Sequence, residues 1–148
     1  MSGNVTFTII KPDAVKSGHS GSIIKMIEKA GFKLLEMKLV SLTKEKASEF
    51  YEVHKEKPFY DRLCDYMSSG PIIVMKLSKN NAIEDFRKLI GSTNPQDAAE
   101  GTIRNLFATS IEANAIHGSD SNENAVIESD FFLIIKILLA KNYLILFR

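Results

Sequence analysis

Cysteine occurs once in the 148 residues, at Cys64. A single thiol forms no internal disulfide and builds no thiolate metal site alone, which excludes a disulfide-stapled scaffold and points to a reducing compartment. No His/Cys pair at knuckle spacing and no Asp-rich calcium loop is present, so metal ligation by protein side chains is not expected. No Gly-x-x-x-x-Gly-Lys-Ser/Thr loop occurs, so any nucleotide must be cradled differently. Charge of one sign is also lacking: 19 basic residues against 18 acidic ones leave +1. A field that small recruits neither nucleic acid nor anionic lipid, so phosphate recognition has to be local. Met1-Ser2-Gly3-Asn4 lacks the basic flank and apolar run of a secretory signal, and a cytoplasmic location is expected. No repeat, low-complexity tract or linker divides the chain, and residues 1–148 read as a single domain.

With 45% hydrophobic and 25% charged residues the chain can bury one substantial core. Val5 to Ile10 is a β-branched and aromatic run that reads as a first strand. Ser20 is placed to cap a helix with Ile23, Ile24, Ile27 and Ala30 on one face and Gly31 as its stop. Leu35, Met37 and Leu39 alternate with Glu36 and Lys38, the pattern of a half-buried second strand. Thr43 opens a helix along Ala47, Phe50, Tyr51 and His54, and Pro58 starts a shorter one carrying Leu63, Cys64 and Met67. After the turn Ser69-Gly70-Pro71, Ile72 to Leu77 forms a third strand. Asn80 caps a helix through Ile83, Phe86 and Ile90. Gly91 to Glu100 reads as a loop, Thr102 to Ala108 as a short helix, and Ala113 to Ile116 as a fourth strand ending at His117. The alternation predicts an α+β sandwich of split-βαβ type.

Polar clusters fall at strand ends and in loops, where scaffolds present function. Lys11-Pro12-Asp13 at the exit of the first strand offers a point charge for a phosphate, or is a solvated turn. Two of the chain's four arginines, Arg87 and Arg104, bracket a loop with Thr93-Asn94-Pro95 and Gly101-Thr102. Guanidinium forks and hydroxyls suit phosphate oxygens, although a surface loop with incidental charges would look the same. The segment Asn114-Ala115-Ile116-His117-Gly118-Ser119-Asp120, with Glu128 beyond it, places an imidazole beside a hydroxyl and carboxylates. Such a group can act as base or nucleophile, and Gly118 would let a ligand approach closely. His19, in a Gly/Ser loop, reads as solvated, and His54, on an apolar helical stripe, as packed.

In order and spacing, Ile9-Ile10-Lys11-Pro12-Asp13, Pro58-Phe59, Ser69-Gly70-Pro71, Gly91-Ser92-Thr93-Asn94-Pro95, Gly101-Thr102-Ile103-Arg104 and Asn114 to Ser121 closely resemble the nucleoside diphosphate kinases. The resemblance spans about Val5 to Glu128. It implies a ferredoxin-like sandwich around a four-stranded antiparallel sheet covered by helices. It also implies transfer of the γ-phosphate of a nucleoside triphosphate, mainly ATP, to a nucleoside diphosphate. On this likeness His117 is the phosphate acceptor, oriented by Glu128 and Ser119. Lys11, Tyr51, Arg87, Thr93, Arg104 and Asn114 hold phosphates and sugar. Phe59 stacks on the base, and the loop from about Gly91 to Glu112 walls the nucleotide. Mg²⁺ carried by the phosphates and a homo-oligomer, tetramer or hexamer, follow from the same likeness. Two rival readings are a catalytically silent member of the fold and a nucleic-acid module, the latter disfavoured by the neutral charge.

The departure from the family lies in segment 131–148, where every residue from Phe131 to Phe147 is apolar except Lys136, Lys141 and Asn142. Those lysines interrupt any membrane span, and no membrane association is expected. Packing on the domain, packing at a subunit interface and an altered coding end all stay open.

Overall fold

The computed structural model describes residues 3–132, so of the apolar segment 131–148 only Phe131 and Phe132 lie among the described residues. Strand β1 (Val5–Ile10) is buried along nearly its whole length. Phe7 and Ile9 point to one face, and Thr6, Thr8 and Ile10 to the other. Apolar or compact side chains on both faces suit a central strand, and β1 lies between β3 (Ile72–Ser78) and β4 (Ile116–Gly118). β2 (Lys33–Val40) completes the order β2-β3-β1-β4, with every pairing antiparallel.

Helices cover both faces. On one side Ile10, Met75, Leu77 and Ile116 pack with Ile23 and Ile27 of α2 (Ser20–Lys29), Phe86 and Ile90 of α5 (Ala82–Ile90) and Ile103 of α6 (Ile103–Phe107). On the other, Phe7, Ile9, Ile72 and Val74 pack with Ala47 of α3 (Lys44–Phe50), Cys64 and Met67 of α4 (Tyr60–Met67) and Phe132. Phe132 belongs to a helix, α7, over 122–132, and stacks on Phe7 with ring centroids 5.4 Å apart. This is the α+β sandwich that the alternation predicts, with the ferredoxin-like, helix-covered, four-stranded antiparallel sheet that the resemblance implies. Fully burying a side chain such as Phe86 contributes about 1.5–3 kcal/mol. Among the described residues no helix is long and apolar enough to cross a membrane.

Several local expectations are corrected. Lys11-Pro12-Asp13 is no solvated turn: proline at the first helical position starts a short helix, α1 (Pro12–Lys16), which buries Pro12 and Ala14. Ser20 lies inside α2 while His19 occupies the cap, and Asn81 rather than Asn80 caps α5, in a left-handed conformation. Pro58 precedes α4, which begins at Tyr60. His19 is not free in solvent but stacks near Phe107, centroids 4.8 Å apart. The β2 alternation is inverted: Leu35, Met37 and Leu39 are exposed, whereas Glu36 and Lys38 turn partly inward. A bulge between Leu34 and Glu36 shifts the register by one residue, which exchanges the two faces of an edge strand.

Candidate active site

The carboxyl end of β1, the middle of β4, the C-terminal part of α5 and the following loop converge on one open cleft of about 1210 Å³. His117 projects from β4, which is fixed to β1 by the Ile9–His117 pairing and by the Thr8 hydroxyl donating to the His117 carbonyl at 2.6 Å. Pairing of β4 starts only at Ile116, later than the sequence suggests, because Ala115 has φ +71° and breaks the extended chain. Gly118 has a different use from the one its position suggests. A Cβ there would lie 2.9 Å from Phe86 Cδ1 and 3.1 Å from Ile90 Cδ1, so glycine admits α5 against the strand.

Glu128, on α7, holds the imidazole. His117 Nε2 lies 3.0 Å from Glu128 Oε1 and 2.9 Å from Oε2. The fully buried Ser119 hydroxyl donates to Glu128 Oε2 at 2.6 Å, fixing the carboxylate in turn. With Nε2–H directed at a carboxylate, Nδ1 is the nitrogen left with a lone pair, and it belongs to a ring that lines the cleft. Tyr51, almost fully buried beside it, has its phenol pushed well above the ordinary range by burial and then by the Glu128 charge, so it remains a neutral hydroxyl.

Lys11, Arg87 and Arg104 bring three positive charges to the same cleft. Arg104 leaves α6 to donate from Nη1 to the Gly91 carbonyl at 2.9 Å and from Nη2 to the Ile116 carbonyl at 2.8 Å. Gly91 is held to glycine by its own surroundings: at φ +86°, an added Cβ would stand 2.5 Å from Thr102 Oγ1. Burial, and then Arg87, bring the Arg104 guanidinium down to about 10, still charged at neutral pH. Asn114, 3% exposed, donates to the Thr93 carbonyl at 3.3 Å, while its Oδ1 has no protein partner. Lys11 and Arg104, held largely out of water beside the exposed Arg87 and with donors to spare, form a receptor for a polyanion.

Lys11 gives this receptor a measurable signature. Burial foremost, and then Arg104, lower its ammonium from 10.5 to about 8. Its folded value lies below its unfolded one, so the unfolded chain binds more protons between about pH 8 and 10.5 and stability rises with pH across that window. Below pH 8 the buried charge costs about 3 kcal/mol. Lys11→Met, which keeps the shape, is therefore expected to raise the denaturant midpoint at pH 7, with a gain that shrinks towards pH 10.5. In the parent protein the cleft is expected to lose this charge, and with it affinity for a polyanion, above about pH 8. A midpoint that the substitution leaves unchanged at pH 7 would contradict this account of the lysine.

The structure therefore brings Lys11, Tyr51, Arg87, Thr93, Arg104, Asn114, His117 and Glu128 to one cleft, with Ser119 buried behind it. Phe59 does not line it. That ring is 44% exposed and meets the cleft through His54, centroids 5.7 Å apart. His54 is not simply packed, as its helical spacing suggests: it forms part of the wall, roughly parallel to the Tyr51 ring at 6.4 Å. Asp120, part of the His117 cluster in the sequence, also lines the cleft, as do Asn124 and Ile127, which nothing in the sequence pattern singled out. Among the described residues no three His, Cys, Asp or Glu side chains are grouped to hold a metal ion.

An imidazole tied at one nitrogen to a carboxylate and facing clustered cations is equipped to exchange phosphoryl groups, which places the chain among α+β phosphotransferases. Known proteins narrow the class. A family model described as nucleoside diphosphate kinase matches residues 4–136. The nucleoside diphosphate kinase of Flavobacterium psychrophilum is 60% identical over 131 residues, covering 88% of this chain and 94% of that protein. That of Chlorobium luteolum is 57% identical over 127 residues, 86% of this chain and 91% of its own. Among solved structures, the Aquifex aeolicus nucleoside diphosphate kinase superposes with a TM-score of 0.86 at 41% identity, over 87% of this chain and 94% of that one. The Encephalitozoon cuniculi enzyme in its apo form gives 0.85 at 37%, over 88% and 89%. The chain belongs to the nucleoside diphosphate kinase family, whose enzymes transfer phosphate between nucleotides with a divalent cation bound to the nucleotide.

Proposed function

We propose that transfer runs through a phosphohistidine on His117 Nδ1. The observation that carries this reading is the Glu128 carboxylate at Nε2, which leaves Nδ1 as the nucleophilic nitrogen. In the first half-reaction the Nδ1 lone pair bonds to the γ-phosphorus, the P–O bond to the β-phosphate breaks, and a nucleoside diphosphate leaves with that oxygen. In the second, an oxygen of an incoming diphosphate attacks the same phosphorus and the P–N bond breaks. Throughout, Nε2–H stays directed at Glu128, which balances the positive charge that develops on the phosphorylated ring. Lys11, Arg87 and Arg104 stabilise the charged, loose transition state. Mg²⁺ carried by the nucleotide phosphates neutralises further charge. Asn114, Thr93 and Tyr51 hold phosphate and sugar, and the exposed Phe59 ring takes the base by its face, which tolerates any base.

The same reading makes residues 1–148 one catalytic domain, cytoplasmic, and assembled as a homo-oligomer, tetramer or hexamer. The exposed Leu35, Met37 and Leu39 on β2, an edge strand of the sheet among the described residues, support self-association, because an exposed apolar edge strand is a liability for a lone subunit.

Initial-rate kinetics test the covalent step. Varying ATP against a second nucleoside diphosphate is expected to give parallel double-reciprocal lines. Intersecting lines would mean a ternary complex and direct transfer, against this mechanism.

A further inference from the structure

Ala115 is an alanine with φ +71°, fully buried, placed between Asn114 and the strand that carries His117. The Ile116 N–H donates back to the Asn114 carbonyl at 2.9 Å, closing a tight three-residue turn over it. Side chains other than glycine seldom adopt this left-handed conformation, and it persists only where neighbours enforce it. Here both backbone groups of Ala115 are held from the exit of β1. Its carbonyl accepts from the Lys11 N–H at 2.9 Å, and its N–H donates to Asp13 Oδ2 at 3.0 Å. The other Asp13 oxygen, Oδ1, accepts a short hydrogen bond from the Tyr66 hydroxyl on α4, and that hydroxyl oxygen also accepts from the Asp13 N–H at 3.3 Å. Neither Asp13 nor Tyr66 lines the cleft.

We propose that Asp13, oriented by Tyr66, is a positioning residue that holds Ala115 in its left-handed turn and thereby sets Asn114 and His117 at the cleft. The turn bears more than one part of the site. Asn114 opens it, the Ile116 carbonyl that follows it anchors Arg104, and His117 comes next. Releasing the Ala115 N–H lets the turn relax towards extended backbone, which moves the imidazole relative to the phosphates. A displacement near 1 Å at a reacting atom costs on the order of 100-fold in rate.

The proposal rests on phosphoryl transfer through His117, and its test keeps the two apart. Asp13→Ala, assayed per folded molecule, is expected to lower kcat about 10-fold or more. KM for ATP is expected to move less than about 3-fold, because Lys11, Arg87 and Thr93 lie outside the turn. Asp13→Asn is expected to restore most of the rate. Its amide oxygen can accept from Ala115, and its amine can donate to the Tyr66 oxygen. Tyr66→Phe, a milder change should Asp13→Ala fail to fold, is expected to lower kcat in the same direction and by less. Unchanged kcat in both Asp13→Ala and Tyr66→Phe would overturn the proposal. So would Asp13→Asn as slow as Asp13→Ala, since the carboxylate would then act through its charge. A parent enzyme carrying no phosphate on His117 would overturn the mechanism and this inference with it, whereas labelled parent enzyme with unaffected variants would sink the inference alone.

Discussion

The His117→Ala variant is expected to form no phosphoenzyme and to lose kcat by about 10⁴-fold or more, the scale of removing the nucleophile from a covalent mechanism. The expectation follows from the geometry around the ring. Glu128 and Ser119 are arranged to fix His117 and do not replace it. The carboxylate is committed to Nε2, and the hydroxyl is buried behind it with its proton on Glu128. Tyr51, a phenol held neutral by burial and by Glu128, is a poor acceptor as well. The other imidazole of the cleft, His54, stands in its wall against the Tyr51 and Phe59 rings rather than on a carboxylate that would fix its tautomer. The fold should survive, since the ring is only partly buried and β4 is held through its backbone and through Thr8. Incubation with γ-labelled ATP, followed by alkali and acid treatment, measures the outcome: acid-labile, alkali-stable label in the parent and none in the variant. Stoichiometric label retained in a folded His117→Ala variant would remove His117 from the mechanism.

Much of this site was legible in the sequence because chemistry concentrates in residue types with few other reasons to stand where they do. An imidazole followed by Gly-Ser-Asp, and two of four arginines around one loop, mark the cleft without any coordinates. What the sequence hid is geometry that depends on partners far along the chain. Gly118 looks like an opening for ligand, yet its missing side chain makes room for Phe86 and Ile90 of α5. The β2 stripe reads as core-facing by alternation alone, and one bulge reverses it. The helix beginning at Pro12 is too short to show periodicity, so Lys11 looked exposed when the chain in fact buries it to 8%. Asp13 looked like the end of a turn, although its carboxylate reaches a residue 102 positions away. Periodicity reports which face a side chain takes, and says nothing of a hydrogen bond between distant loops.

Arg104→Ala is expected to damage the protein twice, and the two losses can be separated. Its guanidinium spends one donor on the Gly91 carbonyl and one on the Ile116 carbonyl, while Nε is buried without a protein partner. Alanine leaves both carbonyls short of a donor, at about 1–3 kcal/mol for each one that water does not reach. The Ile116 carbonyl, whose hydrogen bond is fully buried, should account for more of this than the partly buried Gly91 bond. Catalysis is expected to fall as well, by about 10²–10³-fold in kcat/KM, the usual loss for one preorganised donor at a developing charge. Arg104→Lys separates the roles, because an ammonium keeps the charge but cannot span two carbonyls with a rigid fork. It is expected to recover part of the activity while remaining destabilised. Denaturant midpoints read the first loss, and kcat/KM corrected for the folded fraction reads the second. Full activity per folded Arg104→Ala molecule would reduce Arg104 to a strut between the loop and β4, leaving Lys11 and Arg87 to meet the phosphates alone.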